Sequence, residues 1–487
     1  MSVTSMHFAD GGEPVPGRTG SPEESAFGRP PDGPVHTVAV IGVGYVGLPT
    51  AATLAHLGHT VTCGDADPRK VELLQRGRVP IVEEHLEELV REGQAAGNLR
   101  FVLGAAAAVA DAEFVFLCVP TPQGDDGSAD LSYVESVAAE IGPHLAPGTV
   151  IVNKSTVPVG STLVVERVLG RTDVQVVSNP EFLREGMAVP DSLHPKRIVV
   201  GADDQAAAAR VGELFVGTRA QLLITDAATA ETIKYASNAF LATKLSFVNA
   251  VAGLCEAVGA DVRDVILGLG YDKRIGFEYL KPGPGWGGSC LPKDTRALVH
   301  IAEQAGYDFS FLKGAIATND EQFERVVAKV RAAVATNAVT APAGVPDDAA
   351  FAGAVIAIWG LTFKAGTDDL RNSPAVEVAR RLVTGGAEVR AYDPTVAVPD
   401  GELAVPVPGF EDRTDGPGSL LAYPDAYTAC RGAAAVVVLT EWDEFRWLDF
   451  AKVRDALAAP VLVDARNLLD PAQVRRLGFS YVGIGRR

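Results

Sequence analysis

Short apolar runs alternate with stretches of helix-spaced apolar residues along most of this chain. From Val35 the residues HTVAVIGVGYVGLPTAATLAHLGHTVTCGDAD read as a strand, a glycine turn, a helix and a second strand ending in acids. Strand-like runs follow at EFVFLCVPTP, GTVIVNKST, VQVVSNPEF and KRIVVG, with helical spacing between several of them. Such alternation predicts a parallel sheet with helices on both faces. From about Asp226 the pattern changes. TAETIKYASNAFLATKLSFVNAVAGLCEAVG keeps helical spacing without a proline, a helix of roughly 45 Å at about 1.5 Å per residue. That length suits a bridge between two domains and a surface for pairing in a dimer. Val339 to Ala350 reads as a linker, and a second alternation then begins with AVIAIWGLTF, AEVRAYDP, AAAVVVLTEW and PVLVDARN. In each half one strand ends in an aspartate, Asp65 or Asp393.

Composition narrows the class. A chain of 487 residues, 47% apolar, can bury more than one core. Its formal charge of −18 disfavours nucleic acid as a partner. No apolar run approaches the roughly 20 residues needed to span a bilayer, so no membrane association is expected. Five cysteines, Cys63, Cys118, Cys255, Cys290 and Cys430, are odd in number and lack metal-type spacing. They predict reduced thiols in the cytoplasm and no metal site.

The glycine turn is the first candidate for chemistry. Gly42, Gly44 and Gly47 lie between a strand and a helix, where they let backbone approach a pyrophosphate at the helix N-terminus. Tyr45 and Val46 belong to the same turn. Asp65, at the end of the next strand, suits the ribose hydroxyls and favours NAD over NADP, since it would repel a 2′-phosphate. Lys70 and Thr121 line the same predicted cleft. The expected fold is therefore α/β, two Rossmann-like doubly wound domains joined by a long central helix and helical segment. The boundaries are a flexible tail over 1–34, an NAD-binding domain over 35–218, a central helical and dimerisation domain over 219–330, and a second Rossmann-like domain over 331–487.

The second candidate is KPGPGWGGSCLPKDTR, Lys281 to Arg296. Its small residues leave room for a substrate beside Cys290. Pro292 opens a helix there, and the helix terminus with Lys293 favours a thiolate. Lys234 and Asn238, four apart, share a helix face and are suited to stabilising an oxyanion. Glu181 and Glu185 in NPEFLREG, with Phe182 and Leu183 between them, and Thr156 in KSTVPVG follow strands of the first sheet, where ligands bind. No histidine falls in these motifs, so a carboxylate or a water it holds must act as base. Lys364 and Arg466, with Asp368 and Asp369 near the former, occupy matching loops of the second half and suit a pyrophosphate.

Together these segments, with YDP and TEWDEF, resemble the UDP-glucose 6-dehydrogenase group of nucleotide-sugar dehydrogenases, from about Val35 to the C-terminal YVGIGR. The resemblance implies oxidation of a sugar C6 alcohol to a carboxylate by two successive NAD reductions. It implies that Cys290 attacks the intermediate aldehyde and carries a thiohemiacetal and then a thioester. Lys234 and Asn238 would hold the reacting oxygen, Asp294 and Thr156 would position water, and Glu181 would be the base, with Glu185 in support. Thr156, Lys293 and Arg371 would join the cofactor site. Arg274, Lys281, Gly287 and the backbone at Tyr279 and Leu280 would grip the nucleotide sugar, with Arg274 reaching from a partner subunit and Lys364 and Arg466 from the second domain. A homodimer or higher homo-oligomer is implied. RIG at Arg274 and TEWDEF look like the UDP-glucose branch, whereas LPKD and FKAGTDDLR are shared with GDP-mannose dehydrogenases. Ser289, where acetamido-sugar members carry histidine, speaks against those members. Trp286 stands where Phe or Tyr is common, an aromatic wall for the loop.

Overall fold

The computed structural model describes residues 33–124, 127–337, 351–410 and 418–486. Most of the expected tail (1–34) and the whole of the expected linker (339–350) lie outside them. The first sheet contains β1 (Thr37–Ile41), β2 (Thr60–Asp65), β3 (Leu99–Leu103), β4 (Phe114–Leu117), β5 (Val150–Asn153), β6 (Gln175–Ser178), β7 (Arg197–Gly201) and β8 (Gln221–Thr225). Its order is β3-β2-β1-β4-β5-β6-β7-β8, parallel except where β6 meets β7. The second sheet contains β9 (Val355–Trp359), β10 (Glu388–Tyr392), β11 (Val405–Pro406), β12 (Ser419–Ala422), β13 (Ala435–Val438), β14 (Val461–Asp464) and β15 (Ser480–Gly483). Its order is β11-β12-β10-β9-β13-β14-β15, with β11 alone antiparallel.

Strand alternation divides each sheet between two cores. Val38 and Val40 pack on one face of β1, Ala39 and Ile41 on the other. In β9, Ile356 and Ile358 face one core while Ala357 and Trp359 face the other. Both faces are covered, which is why these strands read as continuous apolar runs. One element departs from the expectation that residues after 218 are helical. β8 extends the first sheet to Thr225, pairing with β7. As an edge strand it leaves Leu222 and Leu223 largely exposed, so its pattern carries no burial signal.

Between the sheets runs the central helix, Ala227–Val258. Asp226 caps its start by accepting from the Thr229 N–H at 2.8 Å, and Gly259, at φ 72°, ends it. By length and composition this helix could cross a bilayer, which revises the expectation that no segment could. Its packing gives a different account. One face carries buried Lys234, Asn238, Ser246 and Asn249 and lies against the helices Leu291–Gln304 and Ser310–Asn337. Phe240, Phe247, Leu254 and Val258 stand exposed along it.

Candidate active site

At the glycine turn, Gly42 has φ +90°, and a Cβ on Gly47 would sit 1.8 Å from the Gly42 carbonyl. Both positions therefore require glycine. A Cβ on Gly44 would meet nothing within 4 Å, so open space lies above the turn. Asp65 Oδ2 accepts from the Val43 N–H at 2.9 Å and lies 3.4 Å from Lys70 Nζ. This backbone, carboxylate and space fit a dinucleotide with free ribose hydroxyls. Thr121 is buried and donates to the Thr156 carbonyl at 2.8 Å, fixing that loop. Tyr45 leaves the turn for the second half, where its hydroxyl donates to Asp368 at 2.7 Å and Arg371 lies over its ring. Val46 precedes the first helix, and its carbonyl accepts from Thr50.

The sulfur of Cys290 lies where three segments meet. Lys234 Nζ donates to Glu181 Oε1 at 2.6 Å, with both side chains buried. One turn on, Asn238 Nδ2 donates to Asp294 Oδ2 at 2.6 Å. Asp294 is wholly buried and also accepts from Lys293 Nζ at 2.7 Å. Burial pushes the Glu181 carboxyl up, but Lys234, the Leu183 N–H and Lys154 outweigh it and hold the group below its usual range. Lys234 is held above its usual range: burial opposes its charge, and Glu181, Cys290 and Asp294 overcome that. A cation and an anion thus persist side by side next to the thiol. Phe182 packs under Arg197 and faces Lys234, and Leu183 supplies its N–H to Glu181 at 2.7 Å.

Three expectations for the cysteine loop are corrected. The thiol is not a resting thiolate. Burial pushes Cys290 up to about 11, against the pull of Lys234. Its residue surface is partly exposed, yet the sulfur is densely surrounded. Lys293, expected to help, spends its charge on Asp294 instead. Nor do the loop glycines mainly make room for substrate. A Cβ on Gly287 would lie 2.0 Å from the Asn372 carbonyl, and one on Gly288 would lie 2.9 Å from the Phe363 ring. The second half fills that space. Trp286 is no wall of the site either: its indole is buried and donates to Ser246 at 2.8 Å, while its N–H bonds to Asn319.

The other four cysteines are buried and free, and burial pushes Cys118 and Cys430 up to about 12, consistent with inert thiols. No group of metal-type ligands occurs among the described residues.

A cavity of about 840 Å³ opens between the central segment and the second sheet, lined by Leu280, Lys281, Arg466 and Glu441. Arg263, Arg446, Arg475 and Arg486 also line it. Sequence reasoning missed these four, because arginines scattered over two segments carry no local motif. Arg466 donates to the Leu439 and Phe363 carbonyls, so it also ties the strand-end loops together. Lys364 is largely enclosed and feels Glu185 and Glu83 across the cleft. Tyr279 adopts φ 59°, a strained conformation for a tyrosine, directly before this wall. Arg371 pairs with Asp369 through two nitrogens and comes within 3.9 Å of Glu185. Arg274 is not brought to the site of its own chain. It is exposed and paired with Asp272. Lys154, also missed, is buried behind Glu181 and donates to Asn179 at 3.1 Å.

Three family models match in order: the UDP-glucose/GDP-mannose dehydrogenase NAD binding domain over residues 36–218, its central domain over 228–321 and its UDP binding domain over 357–471. The UDP-glucose 6-dehydrogenase of Pseudomonas aeruginosa is 42% identical over 92% of this chain and 97% of its own length. That of Rhizobium meliloti is 42% identical over 92% and 99%. Among solved structures, a UDP-glucose dehydrogenase from Pyrobaculum islandicum is 34% identical with a TM-score of 0.79, covering 94% of this chain and 99% of that one. With these relatives and a dinucleotide site of matching geometry, the chain belongs to the UDP-glucose/GDP-mannose dehydrogenase family and is an NAD-dependent nucleotide-sugar dehydrogenase.

Proposed function

We propose that this chain oxidises UDP-glucose to UDP-glucuronate through a covalent adduct on Cys290. The observation that carries the reading is the buried Lys234–Glu181 pair, next to Asn238–Asp294, gathered around one thiol. The relatives named as UDP-glucose 6-dehydrogenases support the choice of sugar nucleotide.

Gly42, Gly44, Tyr45, Val46, Gly47, Asp65, Lys70, Thr121, Thr156, Lys293 and Arg371 hold NAD in this reading. Bound NAD supplies the hydride acceptor for both oxidations. Lys234 and Asn238 hold the C6 oxygen, and the persistent ammonium stabilises negative charge as it grows there. Addition of the Cys290 sulfur to the aldehyde restores a carbon that carries hydrogen and an oxyanion, so hydride can leave a second time. The thioester that results is cut by water, which Asp294 and Thr156 position and from which Glu181 takes a proton. Lys281, Lys364 and Arg466 face the pyrophosphate, and Tyr279, Leu280 and Gly287 frame the sugar nucleotide. Arg274 completes the site from a partner subunit. The exposed apolar stripe on the central helix supports a homodimer or higher homo-oligomer. The domain boundaries at 35–218, 219–330 and 331–487 and a cytoplasmic setting belong to the same reading.

A panel of nucleotide sugars scored by NADH released tests it. Two NADH per UDP-glucose are expected. Turnover of GDP-mannose with none of UDP-glucose would overturn the substrate. Cys290→Ser should stop at the first oxidation, with full four-electron turnover by that variant refuting the covalent scheme. Glu181→Gln should lose roughly 10²- to 10⁴-fold in rate and accumulate enzyme-bound thioester, detectable by intact-protein mass.

A further inference from the structure

Ser289 stands between two groups that no step above connects. Its hydroxyl donates to Glu185 Oε1 at 2.5 Å and lies 3.5 Å from Cys290 Sγ. The other oxygen of Glu185, Oε2, is buried, and the Asp369 carboxylate comes within hydrogen-bond range of Glu185. From the second half, Asp369 presents a second carboxylate to Glu185, Arg371 approaches to 3.9 Å and Lys364 acts from further away. Tyr45 faces it from the glycine turn. A buried carboxylate beside another takes up a proton readily. Burial, then Asp369, push Glu185 up to about 7, against the Ser289 hydrogen bond and Arg371.

The thiol meanwhile is protonated at neutral pH and must lose its proton to become a nucleophile. Lys234 is an ammonium with no lone pair to take a proton, and Glu181, bonded to it at 2.6 Å, serves the water of the later hydrolysis. Asp294 is engaged on both oxygens by Asn238 and Lys293.

We propose that the Ser289 hydroxyl relays the proton of the Cys290 thiol to Glu185 as the sulfur adds to the substrate aldehyde. The inference rests on the covalent reading above. Cys290 S–H passes its proton to Ser289 Oγ while Ser289 O–H gives its own to Glu185 Oε1. The sulfur pair forms the S–C6 bond, and the C6=O π pair moves onto oxygen beside Lys234. No electron is gained or lost in this step. When water later cuts the thioester, the departing thiolate recovers the proton from Glu185 by the reverse path. Because the thiol is so much weaker an acid than Glu185, free thiolate is rare. Transfer must accompany S–C6 bond formation rather than precede it.

The test supplies the nucleotide-sugar aldehyde directly to the full-length enzyme with NAD and follows NADH against pH. In the wild type the rate should rise through about pH 7, as Glu185 becomes the base form. Ser289→Ala should lose roughly 10²-fold, the usual scale of general-base assistance, and lose that limb of the pH profile. Ser289→Thr keeps a hydroxyl and should restore both, and Glu185→Gln should behave like Ser289→Ala. NAD affinity, read by fluorescence titration, should stay unchanged in all three, which separates the effect from misfolding. A Ser289→Ala enzyme that oxidises the aldehyde at the wild-type rate with the same limb overturns the relay and leaves the covalent reading standing. Failure of Ser289→Thr to restore the limb also overturns it. A wild type that cannot use the aldehyde removes the covalent reading itself.

Discussion

The two halves of the molecule share a strand order, β3-β2-β1-β4-β5-β6 in the first and β12-β10-β9-β13-β14-β15 in the second. Each has an aspartate at the C-terminal end of its second strand, Asp65 as the last residue of β2 and Asp393 directly after β10. Their fates differ. Asp65 accepts from the Val43 N–H and Lys70 on Oδ2 and from the Asp67 N–H at 3.0 Å on Oδ1, yet stays partly exposed. Asp393 is buried, and a single oxygen accepts from the Leu361 N–H at 2.7 Å, the Thr362 N–H at 3.0 Å and the Trp442 indole at 3.1 Å. Its other oxygen takes Thr395. Above Gly360 a Cβ would strike Thr440 at 2.3 Å, whereas Gly44 opens onto free space. The same topology therefore leaves room for a dinucleotide where the turn is uncovered and its aspartate stays partly exposed, and closes that room where both are buried.

Substitutions at the paired positions sharpen this contrast. Asp393→Ala strands several buried N–H groups, each costing about 1–3 kcal/mol, and should lower thermal stability by roughly 3 kcal/mol in total. NAD affinity of the folded fraction should hold. Asp65→Ala should do the reverse, raising the NAD requirement roughly tenfold to a hundredfold, since a charge-assisted bond is worth about 1.5–3 kcal/mol. Steady-state titration of NAD at saturating nucleotide sugar checks it, and an unchanged dependence would remove Asp65 from the ribose site. Smallest is Tyr45→Phe, which deletes the one hydroxyl linking the glycine turn to Asp368. About 1 kcal/mol is expected, a few-fold change in NAD affinity with little loss of stability.

How far the sequence could be read follows the same division. The glycine turn and Asp65 were legible because backbone geometry demands particular residues at fixed spacing. Lys234 and Asn238 were legible as a pair because a helix puts four-apart positions on one face. What a long-range contact decides was not. The loop glycines look like room for a ligand until Asn372 and Phe363 arrive from the second half. Cys290 looks activated until burial is counted. The contact of Ser289 with Glu185, far along the chain, leaves no local signature in sequence. β8 was missed because an exposed edge strand shows no buried face.

The contact of Gly287 with the Asn372 carbonyl bears on engineering this enzyme. The nucleophile's loop and the segment around Asn372 are moulded to each other at backbone resolution, without side chains to absorb a mismatch. A chimera that grafts a foreign C-terminal half to alter nucleotide preference must import a compatible 363–374 segment with it. Otherwise the thiol is displaced before any new specificity can be expressed.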